Sequence, residues 1–154
     1  MAEIVDAALD HLPHLVEHLR ADDVAEIRAS SGVEPEAGLR SSLLVSTVAW
    51  TLLSDQGDPV CIFGCAPGGP PGVGSVWMLG TSEMDTLKTT VARKTLPYLR
   101  RMHEPYPVLW NWIDGRNLRS LQWLRWAGFR VIDADPQYGV EKRLFLQFSR
   151  LEYV

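Results

Sequence analysis

Cysteine is scarce: only Cys61 and Cys65 occur in 154 residues. Residues i and i+4 of one strand lie about 13 Å apart at ~3.3 Å per residue, too far for a disulfide. Both are expected to be reduced core thiols, which excludes a disulfide-stapled scaffold and points to the cytosol. No apolar run reaches the ~20 residues that span a bilayer. Met1 to Asp6 lacks the basic start and apolar stretch of a secretory signal. No Lys/Arg run exceeds two residues, so a basic nucleic-acid stripe is not expected. The chain also lacks Gly-x-Ser-x-Gly, Gly-x-x-x-x-Gly-Lys and Cys-x-x-Cys, which removes the commonest serine-hydrolase, nucleotide-phosphate and thiol-redox signatures.

What is present is ordinary globular composition, 46% hydrophobic and 22% charged, in a length that suits one self-sufficient core over residues 1–154. The charge is uneven. Residues 1–77 hold 3 basic and 11 acidic side chains, a net of −8; residues 78–154 hold 12 and 8, a net of +4. Six tryptophans occur, four of them in the short stretch from Trp110 to Trp126.

Local patterns predict the element order. Ile4 to Ala7 reads as a strand. Asp10 is placed to cap a helix with Leu12, Leu15, Val16 and Leu19 inward, and Pro13 falls harmlessly in its first turn. Asp22 or Asp23 starts a second helix, and Pro35 starts a third running to about Leu44. Ser46–Ser54 and Pro59–Ala66 read as strands joined by the turn Asp55-Gln56-Gly57-Asp58. Pro67 to Gly74, dense in proline and glycine, is expected to be an exposed loop. Ser75–Gly80 is a strand, and Thr81 or Ser82 caps a long helix to about Met102, bent at Pro97. His103 is placed to interact as a cation with that helix's C-terminus. Val108 to Ile113 is a strand closed by Asp114-Gly115.

Asn117 is a helix-cap type and Gly128 a helix stop, with Leu118, Leu121, Trp123, Leu124 and Trp126 forming an apolar stripe between them. Phe129–Ile132 and Arg143–Phe148 complete the chain as strands. The fold class expected is α/β (α+β): one domain, with a mixed, mostly antiparallel sheet and helices on both faces.

The unit from Val108 to Phe129, with Asn117, Ser120, Gly128 and Phe129 at their spacing, resembles the C-terminal half of the GNAT (GCN5-related N-acetyltransferase) fold. The element order resembles it over nearly the whole chain. The resemblance implies that Ser75–Gly80 and Val108–Ile113 run parallel and part in a V that holds acetyl-CoA. It also implies a glycine-rich pyrophosphate loop after the fourth strand and, often, a Tyr on the helix after the fifth strand to protonate the thiolate. Neither is seen. The loop position reads Thr81-Ser82-Glu83-Met84-Asp85-Thr86-Leu87-Lys88, with two carboxylates and no glycine. The Tyr position holds Leu124 beside Trp123, and Tyr98, Tyr106, Tyr138 and Tyr153 lie elsewhere.

From Val76 onward, Val76-Trp77-Met78-Leu79-Gly80-Thr81, Leu109-Trp110-Asn111-Trp112 and Asn117-x-x-Ser120-x-x-Trp123-Leu124 are similar to small GNAT-like phage proteins. These include the internal virion protein A family of short-tailed phages. That likeness implies a virion-associated or assembly protein on a degenerate acetyltransferase scaffold, made in the host cytoplasm and carried into the particle. It would have no catalytic residue and no cofactor, and would act on other virion proteins or on itself through Trp110, Trp112, Trp123 and Trp126. The alternative is an acetyl-CoA-dependent N-acetyltransferase, with Met78, Leu79, Gly80, Thr81, Ser82 and Asn117 at the cofactor. On the first reading acetyl-CoA binds at millimolar affinity or worse. Other constellations are weak. His11, His14 and His18 share a helical spacing but lack further ligands, and Glu104 and Asp114 are bases only if a pocket surrounds them.

Overall fold

A computed structural model describes residues 1–152. Tyr153 lies outside the described residues. A seven-stranded sheet takes the order β1 (Glu3–Asp6), β2 (Val48–Leu53), β3 (Pro59–Pro67), β4 (Val73–Gly80), β5 (Val108–Asp114), β7 (Arg143–Leu151), β6 (Arg130–Tyr138). Every pairing is antiparallel except β4 with β5. The helices are α1 (Leu12–Glu17), α2 (Ala21–Ser30), α3 (Pro35–Val45), α4 (Glu83–Thr86), α5 (Lys88–His103) and α6 (Leu118–Trp126).

Alternation along β3 divides the core between two layers. Cys61, Phe63 and Cys65 pack toward α5 and α6 with Val91, Leu99, Met102 and Leu124. Ile62 points the other way, to Leu12, Leu15, Ile27 and Leu39 of α1, α2 and α3. Strand residues buried on both faces explain why β3 reads as a continuous apolar run. Both cysteines are free and buried on one face, and burial pushes each thiol up to about 12.

Both ends of α6 follow their local signals, but the expected apolar stripe does not hold: Leu124 is its one buried residue, and Leu118 and Trp126 are exposed. The Asn117 side chain accepts the Ser120 N–H at 3.3 Å, a cap worth ~1 kcal/mol. The Gly128 N–H donates to Arg125 O and the Phe129 N–H to Leu124 O, and Gly128 has φ +95°: a Schellman stop. Gly128→Ala is expected to lower stability by about 1 kcal/mol, read as a shifted urea midpoint with an unchanged slope.

Elsewhere the chain departs from its sequence signals. Asp10 sits inside a 3-10 turn, Leu9–His11, and caps nothing. Thr81 is not a helix cap, because its hydroxyl donates to Val60 O at 2.9 Å; Ser82 makes no side-chain cap bond. The long helix is interrupted at Leu87, so α4 occupies the expected loop. His103 is 3% exposed, its Nδ1–H donates to Tyr106 O, and burial lowers its pKa, so it is neutral rather than cationic at pH 7. The proline-glycine loop is shorter than expected, because β3 and β4 extend to Pro67 and Val73. Gly68 N–H closes the hairpin onto Val73 O, and Trp110 packs so tightly on Gly68 that a Cβ there would lie 2.6 Å from its Nε1.

Candidate active site

The site begins where β4 and β5 part. They pair only at Val73↔Val108, Gly74↔Leu109 and Ser75↔Trp110. Beyond that, β4 stays with β3 and β5 with β7. Asn111 stands in the fork, its Nδ2 donating to Val76 O at 2.7 Å. The parting opens a cleft of about 860 Å³.

One backbone edge faces this cleft. Thr81 N–H donates to Val60 O, so alternation turns the Leu79 and Trp77 peptide groups toward β3 and those of Val76, Met78 and Gly80 away from it. The Val76 carbonyl is taken by Asn111. Gly80 is closed too: its N–H donates to Asp23 Oδ2 at 2.8 Å and its carbonyl accepts the Arg20 N–H at 2.9 Å. Met78 is left to offer an N–H and a C=O.

The two sides of the cleft carry opposite charge. Lys88 and Arg93 come from α5 and Arg119 from α6; Arg119 reaches Asp85 at 2.8 Å. Arg20, Asp23 and Glu26 come from the opposite layer, with Trp77, Trp112 and Tyr138 as walls. Asp23 is 2% exposed and accepts from Arg20 Nε and Nη2 as well as from Gly80. Burial pushes its carboxyl up, while Arg20 and the Gly80 N–H pull it back. A group that only accepts in all three bonds is a carboxylate.

Glu26 is half-buried, and one of its oxygens accepts the Asp114 N–H at 3.0 Å. Burial raises its pKa to about 7, with Asp23 and Asp114 adding to the rise and the Asp114 N–H and Arg20 opposing it. Burial alone would raise Asp114 as well, but the hydrogen bonds and charge of Arg116 outweigh that and hold it below its ordinary value. Asp114 is therefore no base at neutral pH. Tyr138 stacks on Trp112 at 5.0 Å and on Phe145 at 4.5 Å, and burial followed by Glu26 raises its pKa.

These placements sort the residues singled out by the sequence. Met78, Leu79 and Asn117 line the cleft, while Gly80, Thr81 and Ser82 do not. Trp112 and Trp123 line it, Trp126 is 56% exposed at its mouth, and Trp110 belongs to the Gly68 hairpin. Trp123 Nε1 is buried without a hydrogen-bond partner. Among the described residues no group of His, Cys, Asp and Glu is fit to hold a metal; His11 instead bonds Thr51 at 2.8 Å. No helix of the described residues is long and apolar enough to cross a membrane. Glu26, Asp23 and Tyr138 were not legible as site residues. The only signal was Asp23 and Glu26 three apart on an acidic helix that Arg20 immediately precedes.

Solved structures share this fold. A phosphinothricin acetyltransferase from Sinorhizobium meliloti, solved with AcCoA, is 13% identical, with a TM-score of 0.73 over 97% of this chain and 88% of that one. This is the GNAT fold. A putative acetyltransferase from Acinetobacter baylyi gives 0.75 at 12% identity over 98% and 93% of the two chains. The ribosomal-protein-S18-alanine N-acetyltransferase of Escherichia coli gives 0.70 at 12% over 98% and 94%. No sequence family and no curated protein matches the chain. At these identities the likeness establishes the GNAT fold and not the reaction. The phage likeness has no counterpart among the structures named.

Proposed function

We propose that the protein is an acyl-CoA-dependent N-acyltransferase, a broader form of the second sequence reading, which was an acetyl-CoA-dependent N-acetyltransferase. The observation that carries this is a cleft through the split sheet, cationic on one face and carboxylate-lined on the other. The GNAT neighbours include one solved with AcCoA.

The chain's own groups suit such a cofactor in three ways. Met78 presents a free peptide edge for an amide-bearing arm. Trp123 Nε1 is a buried donor without an acceptor, a state that a ligand would relieve. Lys88, Arg93 and Arg119 supply the charge for phosphates. When bound, acyl-CoA would supply the acyl group as a thioester, and CoA would leave as its thiol as the C–N bond replaces the C–S bond. Glu26, with a pKa of about 7, accepts the proton that an attacking ammonium group must lose.

The glycine loop is absent, and α4 stands in its place. The three cations replace its N–H groups as anion partners, and Asp85 competes for one of them. Calorimetry with acetyl-CoA is expected to give one site of micromolar affinity, ~−8 kcal/mol, weakening with salt. Asp85→Asn, by releasing Arg119, is expected to tighten binding about two- to fivefold. A flat titration to millimolar cofactor would sink the enzyme reading. It would favour the other one, a GNAT scaffold kept for protein contacts in a phage particle, which the replaced glycine loop supports.

A further inference from the structure

On the acyltransfer reading, we infer that the acceptor is a singly charged primary amine on an apolar or aromatic body, bound with its nitrogen at Glu26. Three carboxylates gather on the α2 side. Asp23 is neutralised by Arg20 at 3.1 Å and Asp114 by Arg116 at 2.6 Å. Among the described residues no basic side chain pairs with Glu26, and one backbone N–H is its hydrogen-bond partner.

A carboxylate withdrawn from water without a counter-charge is unstable in its ionised form, and a cation placed beside it reverses that. The missing cation is what an amine brings. Its body meets Trp77, Trp112 and Tyr138. Trp112 and Tyr138 stack in a column ending on the fully buried Phe145, and the Trp77 Nε1–H is already spent on Ser46 Oγ at 2.7 Å. Such walls suit an alkyl or aryl stem.

They also argue against a polyamine. Among the described residues lining the cleft, a second ammonium would find no unpaired carboxylate, because Asp23 is paired with Arg20 and Asp85 with Arg119. The charged and titratable groups around Glu26 are Arg20, Asp23, Asp114 and Tyr138. Glu26 is poised near neutrality, so amine binding near pH 7 should expel a proton from it.

The test is calorimetry on the intact protein, with and without CoA, using phenethylamine, 2-phenylethanol and spermidine. Phenethylamine is expected to bind about tenfold or more tighter than either comparator, because one charge pairs and the ring is covered. Titrations in two buffers of different ionisation enthalpy should show proton release. Glu26→Gln should remove the release and about tenfold or more of the affinity, and Trp112→Ala should weaken phenethylamine without touching the release. Spermidine binding as tightly as phenethylamine, equal binding of the alcohol, or unchanged binding by Glu26→Gln would overturn the assignment. CoA binding in the same instrument separates the two readings. CoA bound without Glu26-dependent amine binding leaves acyl transfer standing and removes this acceptor. Amine bound by a protein that takes up no CoA leaves an amine site at Glu26, removes acyl transfer, and with it the acceptor role.

Discussion

Glu26→Gln is expected to lower kcat by roughly 10²- to 10⁴-fold, the range of a positioned general base, while leaving acetyl-CoA affinity unchanged. In the unmodified protein activity should rise with pH through about 7, as the Glu26 carboxyl loses its proton. The variant should lose that limb. A residue that merely supports the fold would alter amounts of active protein without moving a pH profile, so the profile decides.

The same substitution should stabilise the fold. Burial raises the Glu26 pKa from 4.5 to about 7. Below pH 4.5 the group is protonated both folded and unfolded and costs nothing. Between 4.5 and 7 the unfolded chain ionises first, so stability falls as pH rises, and above 7 the penalty is complete. The full shift corresponds to roughly 3 kcal/mol, and the cleft's contact with water makes the realised figure smaller. Glutamine has no such titration. The urea midpoint of the variant should equal that of the parent at pH 4 and exceed it at pH 8. Lower activity with higher stability is what a carboxylate held for chemistry predicts. Equal midpoints at both pH values would place Glu26 in ordinary solvent and remove the base.

The layout was legible wherever the decisive signal was local. Asn117 and Gly128 announce both ends of α6 because a cap and a left-handed stop are properties of single residues. The hairpin at Gly57, with φ +83°, is of the same kind. The strand β6 was cut short at Ile132, because Asp133-Ala134-Asp135-Pro136 carries turn residues. As the edge of the sheet it tolerates them, with a register shift between Asp135 and Tyr138 that takes up the proline. The cleft was legible only as a consequence of topology.

Most of its chemistry was not legible: Met78 was named through the resemblance, but Glu26, Lys88, Arg119 and Tyr138 are brought to the same cleft by the fold from four other elements. What no local pattern could show is that Lys88, Arg93 and Arg119 converge on the same mouth from two helices. His103 failed for a similar reason: its place at a helix end suggests a charge, and its burial forbids one.

Asp23→Ala is expected to cost about 3–5 kcal/mol, the price of leaving one member of a buried ion pair without its partner. Three bonds end on this carboxylate, two from Arg20 and one from the Gly80 N–H. Arg20 also fastens its own backbone to Gly80, and Leu19 bridges Thr81, so the α1–α2 junction closes the end of β4 like a short extra strand. Removing the carboxylate strands a largely buried guanidinium and uncovers the Gly80 N–H. Asp23→Asn keeps the shape and loses the charge, so it should fall nearly as far. The double variant Asp23→Leu with Arg20→Met should recover most of the loss, because neither charge is then left alone. Urea midpoints of the four proteins test this. Near-equal stability of Asp23→Ala and the parent would mean that the pair is open to water, and that the end of β4 is free to lengthen the edge now confined to Met78.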